Sequence, residues 1–200
     1  MPKKVVKEYD VYTFEELSPE AKEKVLEDFR DINVDGDSWS DWLIEEWQDK
    51  LSEAGWGNPK DIEIAFSGFW SQGDGASFTI NRLSDEGILK LMETYKLDVK
   101  YPLIGDYDYL DGTITRSERY VHENSTDLSL NGEVGEGIDQ DAFNSQLDGL
   151  EKDLEEIMRD LNKQIYRELE KTYDEATTDE AIIDTILANE FEFTSDGKQF

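Results

Sequence analysis

Asp31-x-Asn33-x-Asp35-Gly36-Asp37 places hard oxygen donors at alternate positions with a glycine at the bend. An EF-hand calcium loop opens this way, because the ion needs several oxygens gathered around a sharp turn. The loop then departs from the pattern. Its twelfth position is Trp42 where a bidentate glutamate belongs, and its eighth is Ser38 rather than an aliphatic residue. Asp31, Asn33, Asp35 and Asp37 are therefore an incomplete metal set. Calcium is the ion they would take, and no other cofactor is expected. The competing reading is a turn-rich loop between two helices, with Asp37 or Ser38 capping the second.

The remaining chemistry is thinner. A Ser-His-Asp arrangement would have to use His122, the one histidine. It lies in RYVHENS, and neither Ser67-Gly68 nor Ser71-Gln72-Gly73 supplies the strained G-x-S-x-G elbow of a nucleophilic serine. Gly73-Asp74-Gly75 has no lysine after it and so is not a phosphate loop. It reads as turn chemistry, since glycine tolerates positive φ. Paired carboxylates for glycoside hydrolysis, with Trp70, Tyr107 and Tyr109 as ring platforms, can be drawn almost anywhere among 49 acids, which empties the signal of meaning. No motif names a reaction, and a non-enzymatic role is the expectation.

Binding surfaces remain. Asp plus Glu outnumber Lys plus Arg by 49 to 20, for a formal net charge of −29. Such a chain repels nucleic acid and anionic membranes and attracts cations and basic proteins. Its acids fall opposite the apolar stripes of the expected helices. Glu23 and Glu27 on the first, Glu45 on the second and Asp153, Glu156 and Asp160 on a long C-terminal one form carboxylate rows. Rows of this kind imitate the spaced charges of a nucleic-acid backbone, or simply solvate the surface.

The elements that must position these groups follow from periodicity. Ile62–Ile80, IEIAFSGFWSQGDGASFTI, reads as a central hairpin with an aromatic, polar turn. Trp70, Gln72 and Asp74 are its exposed recognition candidates. Strands are expected near 5–12, 62–69, 76–81, 112–122, 126–134 and 190–194. Helices are expected over 19–31, 38–54, 84–96, 139–174 and 178–189. Ser18-Pro19 starts the first, and Thr177-x-x-Glu180 forms a capping box for the last. Trp39, Trp42, Leu43, Trp47 and Leu51 are the predicted buried stripe of the second. The long helix has a stripe wider than a coiled-coil seam, which favours packing on its own sheet, with a homodimer as the alternative. The whole predicts a single α+β domain over 1–200, a small, mainly antiparallel sheet covered by helices, with 139–189 as a helical C-terminal part packed on the sheet.

There are no cysteines, which suits a reducing compartment. The start, MPKKVVKEYD, has no apolar run and is not expected to be a signal peptide. No stretch approaches a membrane span.

VYTFEELSPEAKEKVLEDFRDINVD and FSGFWSQGDGASF, together with RSERYVHENS and the closing FEFTSDG, resemble a family of small bacteriophage-encoded proteins, some labelled antitoxin-like. The resemblance brings no catalytic residues. It implies a phage protein acting in the cytoplasm of a bacterial host. With the charge, it leads to the expectation of an acidic inhibitor or interaction protein, a nucleic-acid mimic binding a basic host or defence protein rather than nucleic acid itself. The alternatives are an antitoxin-like neutraliser of one toxin and a divalent-cation-dependent enzyme.

Overall fold

A computed structural model describes residues 8–117 and 120–200. The strand expected from residue 5, as far as residue 7, the 118–119 part of the strand expected near 112–122 and the side chain of Asp37 lie outside the described residues. The elements begin β1 (Tyr12–Thr13), α1 (Pro19–Asp28), α2 (Asp41–Ala54), β2 (Ile62–Phe66) and β3 (Ala76–Ser84). They continue α3 (Asp85–Thr94), β4 (Tyr107–Arg116), β5 (Thr126–Val134), α4 (Gln140–Ala176), α5 (Asp179–Ala188) and β6 (Glu192–Phe193). The fold is α+β, with a four-stranded antiparallel sheet ordered β2-β3-β4-β5 and a two-stranded sheet of β1 and β6. The chain divides into two compact units, Asp41–Glu170 and a terminal unit joining the chain up to Ser40 to Lys171–Phe200.

In the terminal unit, Ser18 caps α1 by accepting from the Ala21 amide at 3.3 Å, and Pro19 sits where its missing N–H leaves nothing unpaired. Ala21 and Val25 then pack with Phe14, Leu17, Ile182, Ile186 and Phe193 in one apolar cluster. Tyr12 pairs with Phe193, so the antiparallel β1–β6 ladder joins the two ends of the chain. The cap of α5 is Thr178, which accepts from the Ala181 amide, and not Thr177. The Thr177 hydroxyl instead donates to the Tyr173 carbonyl at 2.9 Å, at the end of α4.

In the central unit, β2 and β3 form the expected hairpin, with Ile62 opposite Ile80 and Ile64 opposite Phe78. Ile80 continues the row to Ile114, and Ile114 to Leu128. This face is buried, whereas Glu63, Thr115 and Asp127 on the other face are exposed, the alternation a one-sided sheet requires. Full burial of side chains such as Phe78 and Ile80 contributes roughly 1.5–3 kcal/mol each. β4 starts at Tyr107 and ends at Arg116, upstream of the expected strand, with a bulge between Tyr107 and Tyr109.

The α2 stripe is narrower than predicted. Leu43, Trp47 and Leu51 are buried, but Trp42 is 55% exposed. Trp42 lies one residue, about 100° of helical rotation, from Leu43 and faces solvent. Trp39 precedes the helix, in a 3-10 turn over Asp37–Ser40. In α4, Phe143, Leu147, Leu150, Leu154, Met158, Ile165 and Leu169 are buried, and Asn162 occupies a place in the same stripe. The Asn162 side-chain oxygen accepts from the Phe78 amide at 3.0 Å, and its NH2 donates to the Thr126 hydroxyl at 3.3 Å. Glu151 of α4 accepts from the Leu130 amide at 2.8 Å, occupying an outward-facing donor of the edge strand β5.

Candidate functional site

The turn between β2 and β3 is held by its own side chains. The Ser67 amide donates to the Gly75 carbonyl at 3.0 Å, extending the ladder one step past β2. The Asp74 carboxylate turns back and accepts from the amides of Trp70 at 3.1 Å and Ser71 at 2.7 Å. Gly73 sits at φ +100°, a conformation a side chain would strain. Phe69 is buried, with its ring stacked 5.9 Å from Phe66 and tilted 5.6 Å from Tyr166 of α4. The Tyr166 hydroxyl donates to the Gly68 carbonyl at 3.2 Å. With Phe69 anchored, the next residue points away: Trp70 is 74% exposed, and Gln72 is exposed beyond it.

A second loop, between β4 and β5, lies against the first. The Ser67 hydroxyl donates to the Val121 carbonyl at 3.4 Å and accepts from the Gly75 amide at 3.1 Å. A Cβ on Gly75 would stand 2.9 Å from the His122 Cα, so the approach requires glycine. FSGFWSQGDGASF and the YVHENS segment, far apart in sequence, thus share one end of the sheet. Burial pushes the Tyr166 phenol above its ordinary range, and the carboxylates of Glu170, Asp74 and Glu123 push it the same way. Three carboxylates therefore lie near Tyr166, which packs on Phe69 of the turn.

His122 Nδ1 lies 3.0 Å from a Glu123 carboxylate oxygen and 3.2 Å from the Asn124 amide. A charged ring donates to the first, and a neutral one accepts from the second. The hydroxyls of Ser67 and Ser125 are both engaged with backbone groups. Trp70, Ser71, Gln72, Tyr120 and Asn124 are among the exposed residues at this end. Asp74, expected beside Trp70 as a recognition residue, is half-buried and committed to the turn.

The chain matches, over residues 39–179, the model of a family described as a domain of unknown function, DUF8835. It belongs to that family. No curated protein and no solved structure matches the chain. The matched span contains both loops of the site, Tyr166 and the whole four-stranded sheet. It leaves out α1 and the Asp31–Asp37 loop.

That loop is occupied in other ways. Asp31 accepts from the Tyr173 hydroxyl at 3.4 Å. The Asn33 side chain donates to the Ala176 carbonyl at 2.9 Å and accepts from the Thr185 hydroxyl at 2.6 Å. Asp35 is exposed. Among the described residues, no group of three or more His, Cys, Asp or Glu side chains is placed to hold a metal. Of the predicted acidic rows, Glu23, Glu27, Glu45, Glu156 and Asp160 are exposed. Asp153 is not a free surface charge: it pairs with Lys100 at 2.6 Å and accepts from the Tyr101 hydroxyl at 2.9 Å. Two other α4 acids work inward, Glu151 on the sheet edge and Glu168, which accepts from the Trp47 indole at 2.8 Å. Their helical positions look like solvated ones in the sequence, and nothing local marks them. Among the described residues no helix is long and apolar enough to cross a membrane.

Proposed function

We propose that this protein is a non-enzymatic, phage-encoded acidic interaction protein that occupies the basic, nucleic-acid-binding surface of a host or defence protein. The observation that carries the reading is Trp70. It stands 74% exposed on a turn otherwise anchored by Phe69, Asp74 and Tyr166, with the carboxylates of Asp74, Glu123 and Glu170 near Tyr166. A large aromatic held out on a rigid turn is the type of side chain that dominates protein interfaces. Exposed acids on α1, α2 and α4, in a chain of net charge −29, supply the long-range attraction to a basic target.

The test is competition. A basic protein captured from bacterial lysate should lose its grip on nucleic acid when this chain is added, and Trp70→Ala should weaken that effect by about tenfold or more, the loss typical of an interface anchor. A captured protein whose nucleic-acid binding is untouched overturns the mimic. So does a complex that is indifferent to salt up to about 1 M, where exposed charges are screened within roughly 3 Å.

A further inference from the structure

The β3–β4 ladder slips at one point. Ile80 pairs with Ile114 and Leu83 with Gly112, so β3 carries one residue more than β4 over that interval. Such a bulge re-aims side chains. Here Asn81 and Arg82 are exposed in succession, where a regular strand would send neighbours to opposite faces. Both line a cavity of about 700 Å³ in the central unit, within the range usual for small-molecule sites. Asn58, Asp61, Glu86 and Lys90 line it as well.

Bare backbone shapes one side. Gly55 and Gly57 hold φ of +114° and +135°. A Cβ on Gly87 would stand 2.7 Å from the Gly55 carbonyl oxygen, so α2 and α3 meet there without intervening side chains. The cavity thus lies among α2, α3, β3 and the segment that joins α2 to β2.

Its lining selects the ligand class. No apolar side chain contributes to it, whereas pockets for apolar ligands are mostly hydrocarbon. Amides, hydroxyls and charges of both signs match a molecule rich in hydroxyl groups. Arg82 adds a second requirement. Arg30, Arg116 and Arg159 each meet a carboxylate. Arg82, among the described residues, makes no hydrogen bond or ion pair, although its charge is felt by Asp85 and Tyr109. Arg167 is alike in this but does not line the cavity. A guanidinium without a hydrogen-bonded partner at a polar cavity is a fork for an oxyanion.

We propose that this cavity binds a small, hydroxyl-rich molecule carrying one oxyanion group, with Arg82 and Lys90 on the oxyanion and Asn58, Asn81, Asp61 and Glu86 on the hydroxyls. Sugar phosphates and sugar acids share that chemistry. Polyanions are disfavoured, because the net charge of −29 repels each added negative charge. The site is independent of the Trp70 surface and of any protein partner.

Amide shifts of the isotope-labelled full chain, titrated separately with glucose 6-phosphate, glucuronate, glucose and inorganic phosphate, test this. Glucose 6-phosphate or glucuronate should shift the amides of Gly55, Gly57, Asn81 and Gly87 saturably, and which of the two binds identifies the oxyanion. Glucose and phosphate alone should each bind about tenfold more weakly, since each lacks one half of the recognition. Arg82→Gln should weaken the acid ligand about tenfold or more, the loss of a charge-assisted pair, while Arg167→Gln leaves it unchanged. Should Arg82→Gln disturb the spectrum beyond the cavity, Asn81→Ala carries the same expectation. Shifts absent with both acids, an equal response to phosphate alone, or undiminished affinity in the cavity variant overturns the site.

Discussion

Asp74 and Trp70 belong to one turn and do opposite things: the carboxylate folds back onto two amides, while the indole is held out. Asp74→Ala should therefore cost about 1 kcal/mol, an ordinary value for hydrogen bonds at an exposed turn, and Asp74→Asn, which keeps an acceptor, should cost less. Trp70→Ala should stay within about 0.5 kcal/mol of the parent, as exposed substitutions do. Urea titrations of the three variants decide this, and equal midpoints for Asp74→Ala and the parent would show that the carboxylate does not hold the turn. Asp153 gives a pH-dependent case. The Lys100 ammonium, and after it the Tyr101 hydroxyl, hold its carboxyl below the usual carboxylate range against the opposing effect of burial. The same contact raises Lys100. A depressed carboxyl contributes stability that is present above its unfolded value, about 3.9, and is lost as pH falls through the lower folded value. The raised lysine contributes below its own ordinary value and loses that contribution only at strongly alkaline pH. The stability gap between parent and Asp153→Asn should thus be constant near neutrality and close below about pH 4. A gap that persists undiminished to about pH 2 would assign it to packing instead.

At the level of elements, the parts with local signals were legible. Ile62, Ile64, Phe78 and Ile80 alternate around a glycine-rich turn, and the hairpin forms with that register. The three-and-four spacing of Phe143 to Leu169 produces α4 and its buried stripe. What escaped depends on contacts distant in sequence. Trp42 is as apolar as Trp47, and only its angular offset from Leu43 shows that it leaves the stripe. The start of β4 reads as loop because Asp108 and Asp111 interrupt it, yet both side chains fall at positions a half-solvated strand tolerates. The aromatic turn was visible in its composition, but its neighbour at Val121–His122 was not, because no local pattern encodes the meeting of Gly75 with His122. Asn162 is the clearest case. A polar residue within an apolar stripe looks like an interruption, yet it is fully buried and bridges β3 and β5. Asn162→Leu keeps the branched shape and strands the Phe78 amide, which should cost about 1–3 kcal/mol. Chemical denaturation measures the loss, and hydrogen exchange should show it as faster exchange at Phe78. A variant as stable as the parent would mean that the bridge is replaceable by hydrocarbon.

For the whole molecule, the net charge of −29 opposes folding and would favour binding to the proposed basic partner. Folding gathers like charges, and the resulting repulsion opposes the compact state. Exposed pairs such as Arg30–Asp179 at 2.6 Å and Lys50–Glu46 at 2.8 Å return little, each contributing at most about 1 kcal/mol. Raising salt from about 0.01 M to about 0.15 M shortens the screening length from roughly 30 Å to roughly 8 Å. Repulsion is then relieved more than these short pairs are weakened, so the melting temperature should rise. The same salt screens the attraction to a basic partner, so affinity should fall over that range, and mainly through slower association. Differential scanning fluorimetry and calorimetry in one buffer series read both responses. A melting temperature that falls with salt would mean that the carboxylates are paired within the fold and not available to a partner. Affinity that holds while the melting temperature rises would place recognition on Trp70 alone and leave the acidic helices as a solvating surface.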